Sequence, residues 1–189
     1  MNYYDLNAEE FFSDTVDADM STHHDEFLKN LPENACILDA GCGSGRDAKL
    51  FKSLGYNVIA IDGSVEMCKL ASKHSGVNVK HMQFQEIDFK NQFDGIWASA
   101  SLLHVPSSEI EDVLKRLKNS LKENGILYAS FKYGDFEGER NGRYFNDLNE
   151  KTSEELFLKH DFEILKIWIT NDSRKNRENE KWVNILVKK

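Results

Sequence analysis

The segment Ile37-Leu38-Asp39-Ala40-Gly41-Cys42-Gly43-Ser44-Gly45-Arg46 carries the clearest chemistry in the chain. Its three alternating glycines let the backbone turn tightly and approach a ligand closely. A helix that follows such a loop offers unpaired N–H groups in its first turn. A dinucleotide-binding loop spaces its glycines G-x-G-x-x-G and seats a pyrophosphate on that helix. Here the third glycine comes one residue early, Arg46 takes the sixth position, and Asp39 lies two residues before the first glycine. A carboxylate so placed would repel a pyrophosphate. It suits a ligand with an ammonium group, or it braces the loop by accepting backbone N–H bonds. A second carboxylate, Asp62, ends the next apolar run. There it can take two hydrogen bonds from ribose hydroxyls; the alternative is a helix-start residue near Ser64 favoured by the helix dipole.

The elements that must hold these groups alternate short apolar runs with helical periods, a pattern that predicts an α/β fold with a parallel sheet. Strands are expected at Cys36–Ala40, Val58–Ile61, Val77–Met82, Gly95–Ala98 and Ile126–Lys132. Helices are expected at Ala8–Thr15, Met20–Leu31, Arg46–Leu54 (stopped by Gly55) and Ser64–Ser75 (ended by Gly76). After Pro106, Ser108 and Glu111 form a capping box. The helix beyond it places Ile110, Val113, Leu114, Leu117 and Leu121 on one face and closes at Gly125. Thr152 and Glu155 form a second box before a helix to His160. Phe162–Thr170 and Trp182–Val187, joined by the polar loop Asn171–Glu180, predict an antiparallel hairpin at a sheet edge. The expectation is a single domain over residues 1–189, with a doubly wound, seven-stranded, Rossmann-like sheet. Residues 1–31 would form a helical cap, and residues 133–151 a long loop of the kind that serves as a lid or binding loop. Ligands in such sheets sit beyond the carboxyl ends of the strands.

Composition narrows the function. The 189 residues are 40% hydrophobic and 30% charged, which suits one globular domain with a core. A net charge of −8 argues against a surface that neutralises nucleic-acid phosphates. No run approaches the roughly 20 apolar residues of a membrane span. Met1–Glu10 carries acids and polar groups instead of a secretory signal, so a cytoplasmic protein is expected. Cys36, Cys42 and Cys68 show no paired metal spacing and are expected to be reduced. His23 and His24 are adjacent and do not share a helix face, and no metal site is assigned.

Ile37–Arg46 resembles the first motif of the class I S-adenosylmethionine (SAM)-dependent methyltransferases, and Ile59–Asp62 resembles their acidic second motif. Phe93-Asp94-Gly95-Ile96-Trp97 is similar to the entry to their fourth strand. Asn124–Leu127 is similar to the turn before their fifth, with Glu123 and Asn124 replacing Pro and Gly. Ser101–Pro106 and Ser130–Gly134 resemble a small bacterial subgroup related to the tellurite-resistance type. The resemblance implies methyl transfer from SAM, leaving S-adenosylhomocysteine (SAH). SAM has an ammonium and a sulfonium and no phosphate, in keeping with Asp39. By the same resemblance Ala40, Gly41 and Gly43 offer backbone to the methionine moiety, Asp39 sits near its amine, and Asp62 binds the ribose with Gly63 beside it. Met67 would pack on the adenine, Gln83 and Phe84 would meet its edge and ring, and Ala98 and Ser99 would lie near the sulfonium. Arg46 would either reach the SAM carboxylate or cap its own helix surface.

The acceptor pocket must then be built from loops over the strand ends. His104 could be a general base or a local hydrogen-bonding group. Tyr3 and Tyr4 could close over the cofactor or merely anchor the terminus. Lys132 and Arg143 could bind an anionic acceptor or carry solvated charge. The expected acceptor is a small molecule, for a monomer or homodimer. The alternatives are a protein or RNA acceptor, a SAM-binding protein without catalysis, and a nicotinamide-dependent oxidoreductase.

Overall fold

The structure, a computed structural model, describes residues 3–174, 177 and 179–189. Met1 and Asn2 of the expected cap, and Lys175, Asn176 and Glu178 of the expected polar loop, lie outside the described residues. Strands β1 (Cys36–Ala40), β2 (Asn57–Asp62), β3 (Val79–His81), β4 (Phe93–Ala98) and β5 (Leu121–Lys132) pair in parallel. Between Asn146 and the chain end, β8 (Glu163–Asn171) and β9 (Lys181–Lys188) add an antiparallel hairpin, with β9 against β5. The seven-stranded order is β3-β2-β1-β4-β5-β9-β8. Connections leave β1 toward β2 on one side while β4 takes up the other. The crevice this creates lies beyond the carboxyl ends of β1 and β4.

Both faces of the sheet are covered, which is why the parallel strands are apolar runs and not alternating ones. On one face α3 (Ser21–Leu28), α4 (Arg46–Ser53) and α5 (Val65–Ser75) pack down, with Phe27 and Phe51 against Ile37, Trp97 and Tyr128. Trp97 and Tyr128 stack with ring centroids 4.0 Å apart. Gly95 is required here: a Cβ would fall 2.7 Å from the Phe27 ring and hold α3 off the sheet. On the other face α6 (Ser107–Ser120) and α7 (Glu150–Leu158) bury Ile110, Val113, Leu114, Leu117 and Phe157 against Leu38, Ile96 and Leu127. Each such fully buried side chain contributes roughly 1.5–3 kcal/mol of transfer free energy.

Several local expectations are corrected. The second N-terminal helix is shorter than Met20–Leu31, and a short helix, α1 (Tyr3–Leu6), precedes α2 (Ala8–Thr15). Ser108 and Glu111 do not cap α6: it starts at Ser107, whose N–H donates to the Glu137 carboxylate at 2.8 Å, while Glu111 pairs with Lys159. A carboxylate from elsewhere in the chain does that work. The helix ends at Ser120 and the strand begins at Leu121, before Gly125. The box before α7 lies one turn earlier than expected. Asn149 accepts from the Thr152 N–H at 3.0 Å, and Thr152 Oγ1 accepts from the Asn149 N–H at 2.9 Å. Most consequential, the 133–151 loop is not structureless. It contains a two-stranded hairpin, β6 (Glu137–Arg140) and β7 (Arg143–Asn146), turned by Asn141 and Gly142, both at positive φ.

Candidate functional site

At the carboxyl end of β1 the chain enters the glycine loop, and β2 closes it from the side. The N–H groups of Gly41 and Cys42 both donate to the Ile61 carbonyl, at 2.9 and 3.0 Å. The Gly43 N–H donates to one oxygen of Asp62 and the Ser64 N–H to the other, each at 2.9 Å. Gly45 donates to the Cys42 carbonyl. The N–H groups of Gly41, Cys42, Gly43 and Gly45 are thus spent within the loop and on β2. What Gly41 and Gly43 keep for a ligand is carbonyl oxygen, an acceptor. Gly41 itself is obligatory: φ is +78° and a Cβ would lie 2.5 Å from the Ser101 Cβ. Ser101 reaches that position because its hydroxyl donates to the Ala40 carbonyl at 2.7 Å.

Two carboxylates frame this ring of acceptors. Asp39 is buried, and its Oδ2 has no hydrogen-bond partner. Burial first, then the nearby Asp47 charge, pushes its carboxyl well above the usual range. Burial also raises Asp62, to about 6, against the two backbone N–H bonds that favour its charged form. Each Asp62 oxygen keeps a further lone pair for a hydroxyl donor. Unspent acceptors and carboxylates raised by burial fit a ligand carrying an ammonium and a vicinal diol. They do not fit a pyrophosphate, which needs donors.

Beneath the loop, Asp47 of α4 gathers four donors. Arg46 gives Nε and one terminal nitrogen at 2.7 and 2.8 Å, His24 gives Nε2 at 2.9 Å, and Trp97 gives Nε1 at 2.8 Å. Burial opposes the Asp47 charge, but the Arg46 guanidinium and these bonds outweigh it and hold the carboxyl far below its usual range. Arg46 also donates to the Thr15 carbonyl at 3.2 Å. Arg46 thus bonds to its own helix and to α2, while also lining the cavity at the strand ends.

A roof closes over the loop. The Phe11 ring of α2 lies 3.4 Å from where a Gly43 Cβ would be. The Tyr4 ring meets Phe11 edge-on at 5.0 Å. Asp5 accepts from the Ser64 hydroxyl at 2.6 Å, tying α1 to the start of α5. The β6–β7 turn comes down beside α1, where a Gly142 Cβ would lie 3.4 Å from Tyr3. Between roof and strand ends is a cavity of about 910 Å³.

His104, in a 3-10 turn after β4, faces this cavity. Its Nδ1 is 2.6 Å from the Tyr144 carbonyl and its Nε2 is 2.6 Å from Tyr4 Oη. Burial lowers its pKa to about 4. Burial raises the Tyr4 hydroxyl, against the pull of neighbouring Arg143. The Arg143 guanidinium lies over the Tyr3 and Phe145 rings, at 4.8 and 5.1 Å, and its buried Nε has no partner. Lys132 pairs with Glu180, lies 3.8 Å from Asp172 and sits over the Trp182 ring. Burial brings its pKa down to about 8.

The cavity therefore gathers Asp39, Gly41, Gly43, Arg46, Asp62, Gly63, Met67, Gln83, Phe84, Ser99, Tyr4, His104, Lys132 and Arg143 along one wall or another. Ala40 and Ala98 are buried in their strands, outside the lining. Gln83 is exposed and donates to the Gly63 carbonyl at 3.0 Å, so its amide nitrogen is engaged and its oxygen lies against Gly63. Sequence reasoning did not single out Phe11, Ser101, Asp47, Asp5 or Ser64's partner role. Only Asn141-Gly142, a hairpin-turn dipeptide, carried a readable signal for the missing part of the roof.

Comparison with known proteins agrees with this geometry. The family described as "Methyltransferase domain" matches residues 37–125. An uncharacterised methyltransferase of Staphylococcus carnosus is 30% identical over 148 residues, covering 74% of this chain and 72% of that relative. A ubiquinone biosynthesis O-methyltransferase of Actinobacillus pleuropneumoniae is 33% identical over 105 residues, half of this chain and 44% of that relative. Among solved structures, the 1,6-didemethyltoxoflavin-N1-methyltransferase of Burkholderia thailandensis superimposes with a TM-score of 0.79 at 20% identity. The match covers 98% of this chain and 84% of that one, whose crystal holds 1,6-didemethyltoxoflavin and SAH.

Proposed function

Because the chain belongs to the SAM-dependent methyltransferases, with SAM as its methyl donor, we propose that it methylates a small molecule held beneath α1 and the β6–β7 hairpin. The observation that carries this reading is the glycine loop whose Gly41 and Gly43 N–H groups are spent internally. In this reading Asp39 and the loop carbonyls take the cofactor's ammonium, and Asp62 takes its ribose hydroxyls. Gly63 lets that edge pass close, Met67 and Phe84 flank the base, and Ser99 lies toward the reacting end. SAM when bound supplies a methyl whose bond to sulfur breaks, its electron pair staying on sulfur, as the acceptor's lone pair forms the new bond. The protein's part is to align the acceptor and to keep water out, for which the roof of Tyr3, Tyr4 and Phe11 is suited. A cavity of about 910 Å³ roofed by a short helix and a hairpin favours a compact acceptor over a folded macromolecule. The relative with bound 1,6-didemethyltoxoflavin uses this fold on a small molecule and supports the same direction.

The test is calorimetric titration with SAM and SAH, followed by incubation of fractionated lysate with methyl-labelled SAM. Expected are binding of both ligands, binding weakened at least about tenfold in Asp62→Ala (about 1.4 kcal/mol), and label in the small-molecule fraction. Label in protein or RNA would replace the proposed acceptor class. Tight SAH binding with label in no fraction would favour a non-catalytic SAM-binding protein.

A further inference from the structure

We propose that the acceptor is a phenol and that Tyr4, backed by His104, takes the proton its hydroxyl releases, with Arg143 facing the negative charge that develops. The proposal rests on the methyltransferase reading above and adds the acceptor's chemistry.

Hydrogen-bond logic fixes the starting state of the pair. The Tyr144 carbonyl can only accept, so His104 Nδ1 carries the hydrogen. A neutral imidazole with hydrogen on Nδ1 has a lone pair on Nε2, so Tyr4 must be the donor across the 2.6 Å contact. Tyr4 Oη then has its hydrogen turned toward His104 and, beside the bond it accepts from Arg143, a second lone pair that can accept from a hydroxyl in the cavity that both residues line. As the acceptor's oxygen is methylated, its hydrogen passes to Tyr4 Oη while the Tyr4 hydrogen passes to His104 Nε2. The neutral imidazole becomes imidazolium, still held by Tyr144, and later returns its proton to water. One proton leaves the acceptor and one reaches solvent.

The surroundings match this task. Among the described residues Arg143 has no carboxylate partner, its Nε is buried and unpartnered, and it hydrogen-bonds toward the Tyr4 oxygen. Asp62 opposes a charge on Tyr4, and Arg174 and Tyr3 also lie within electrostatic reach of it. Around His104 the charged neighbour is Arg143, which with desolvation keeps the imidazole neutral until an anion forms beside it. The choice of acceptor follows from proton matching. A carboxylate needs no proton acceptor at neutral pH. An aliphatic alcohol is far weaker as an acid than a tyrosine, whereas a phenol and Tyr4 exchange a proton between like groups, where such transfer is most efficient. Lys132 is already paired with Glu180, Arg140 with Asp147 and Arg174 with Asp172, whereas Arg143 lies against Tyr4 itself and is placed to answer the charge.

The probe is 4-nitrophenol, whose anion absorbs visible light, titrated into the SAH-loaded protein at a pH where the free probe is mostly neutral. Expected is binding, with the ionised fraction of bound probe raised at least about tenfold over free probe. Tyr4→Phe keeps the ring contacts and His104→Gln keeps an acceptor for the Tyr4 hydroxyl but cannot hold a proton. Both should retain SAH and probe binding while losing most of that ionisation, and Arg143→Gln should lose it too. Wild-type protein that binds SAH but not the probe, or binds it without added ionisation, overturns the proposal. Tyr4→Phe and His104→Gln ionising the probe as wild type does would also overturn it. Absence of SAH binding by wild type would instead overturn the reading on which it rests.

Discussion

Cofactor affinity should fall in acid as Asp62, one of the two carboxylates raised by burial, takes up its proton. In the empty protein Asp62 is raised by burial to about 6 from a usual 3.8. A folded value above the unfolded one means that the empty protein takes up this proton more readily than the unfolded chain. Its contribution to stability is present below the unfolded value and is lost as pH rises through about 6. Ligand binding has the opposite sense. Both Asp62 oxygens already accept backbone N–H bonds, from Gly43 and Ser64. Ribose hydroxyls would add donors to the charged form and pull the value down, so the ligand binds the ionised protein. At pH 5 only about one empty molecule in ten has Asp62 ionised, so the SAH Kd should be about tenfold weaker than at pH 8, or about 1.4 kcal/mol. Calorimetry between pH 5 and 8 in one buffer series measures this. Asp62→Asn should bind more weakly throughout and lose the bend near pH 6. A flat wild-type profile, or a bend near pH 6 undiminished in Asp62→Asn, would refute the reasoning.

Other outcomes follow from the same geometry. Asp47→Ala strips the buried carboxylate from Arg46, His24 and Trp97. It should cost roughly 3–5 kcal/mol, read as a large drop in the urea midpoint, with a loss under about 1 kcal/mol contradicting the role given to that network. Gly41→Ala places a Cβ 2.5 Å from Ser101 at φ +78°. It should weaken SAH binding strongly, and adding Ser101→Gly should restore part of the loss in the same titration. NAD should not compete with SAH even at high concentration, since the N–H groups of Gly41, Cys42, Gly43 and Gly45 are spent inside the fold and Asp39 and Asp62 would repel a pyrophosphate; displacement of SAH by NAD would falsify that account. Glu137→Gln removes the carboxylate from the start of α6, an exposed helix-end interaction worth about 0.3–1 kcal/mol, so thermal stability should shift by only a few degrees.

Much of this protein is written in short stretches of sequence. The β1–loop–α4 unit depends on an apolar run, three glycines and a helix start within ten residues, so its shape and its carboxylate Asp39 were legible without the rest. The parallel strands were legible because burial on both faces makes them continuous apolar runs, and the α2 and α5 boundaries because local signals mark them. Tertiary structure decided what depends on distant partners. The β6–β7 strands are four residues each and mostly polar, so no periodicity announced them, and their pairing is fixed by a turn and by packing beside α1. The true start of α6 is set by a carboxylate 30 residues away, which no local capping pattern can contain. Arg46 could face a ligand or its own helix as far as sequence goes; its bonds to Asp47, which His24 and Trp97 share, exist only in the fold. Tyr4 and His104 stand 100 residues apart, and only the folding of α1 over the strand ends brings them to 2.6 Å. Local backbone preference and hydrophobic period act over a few residues and so can be read from the chain. Electrostatic and hydrogen-bond partnerships are chosen in three dimensions, where the sheet order and the roof decide which groups meet.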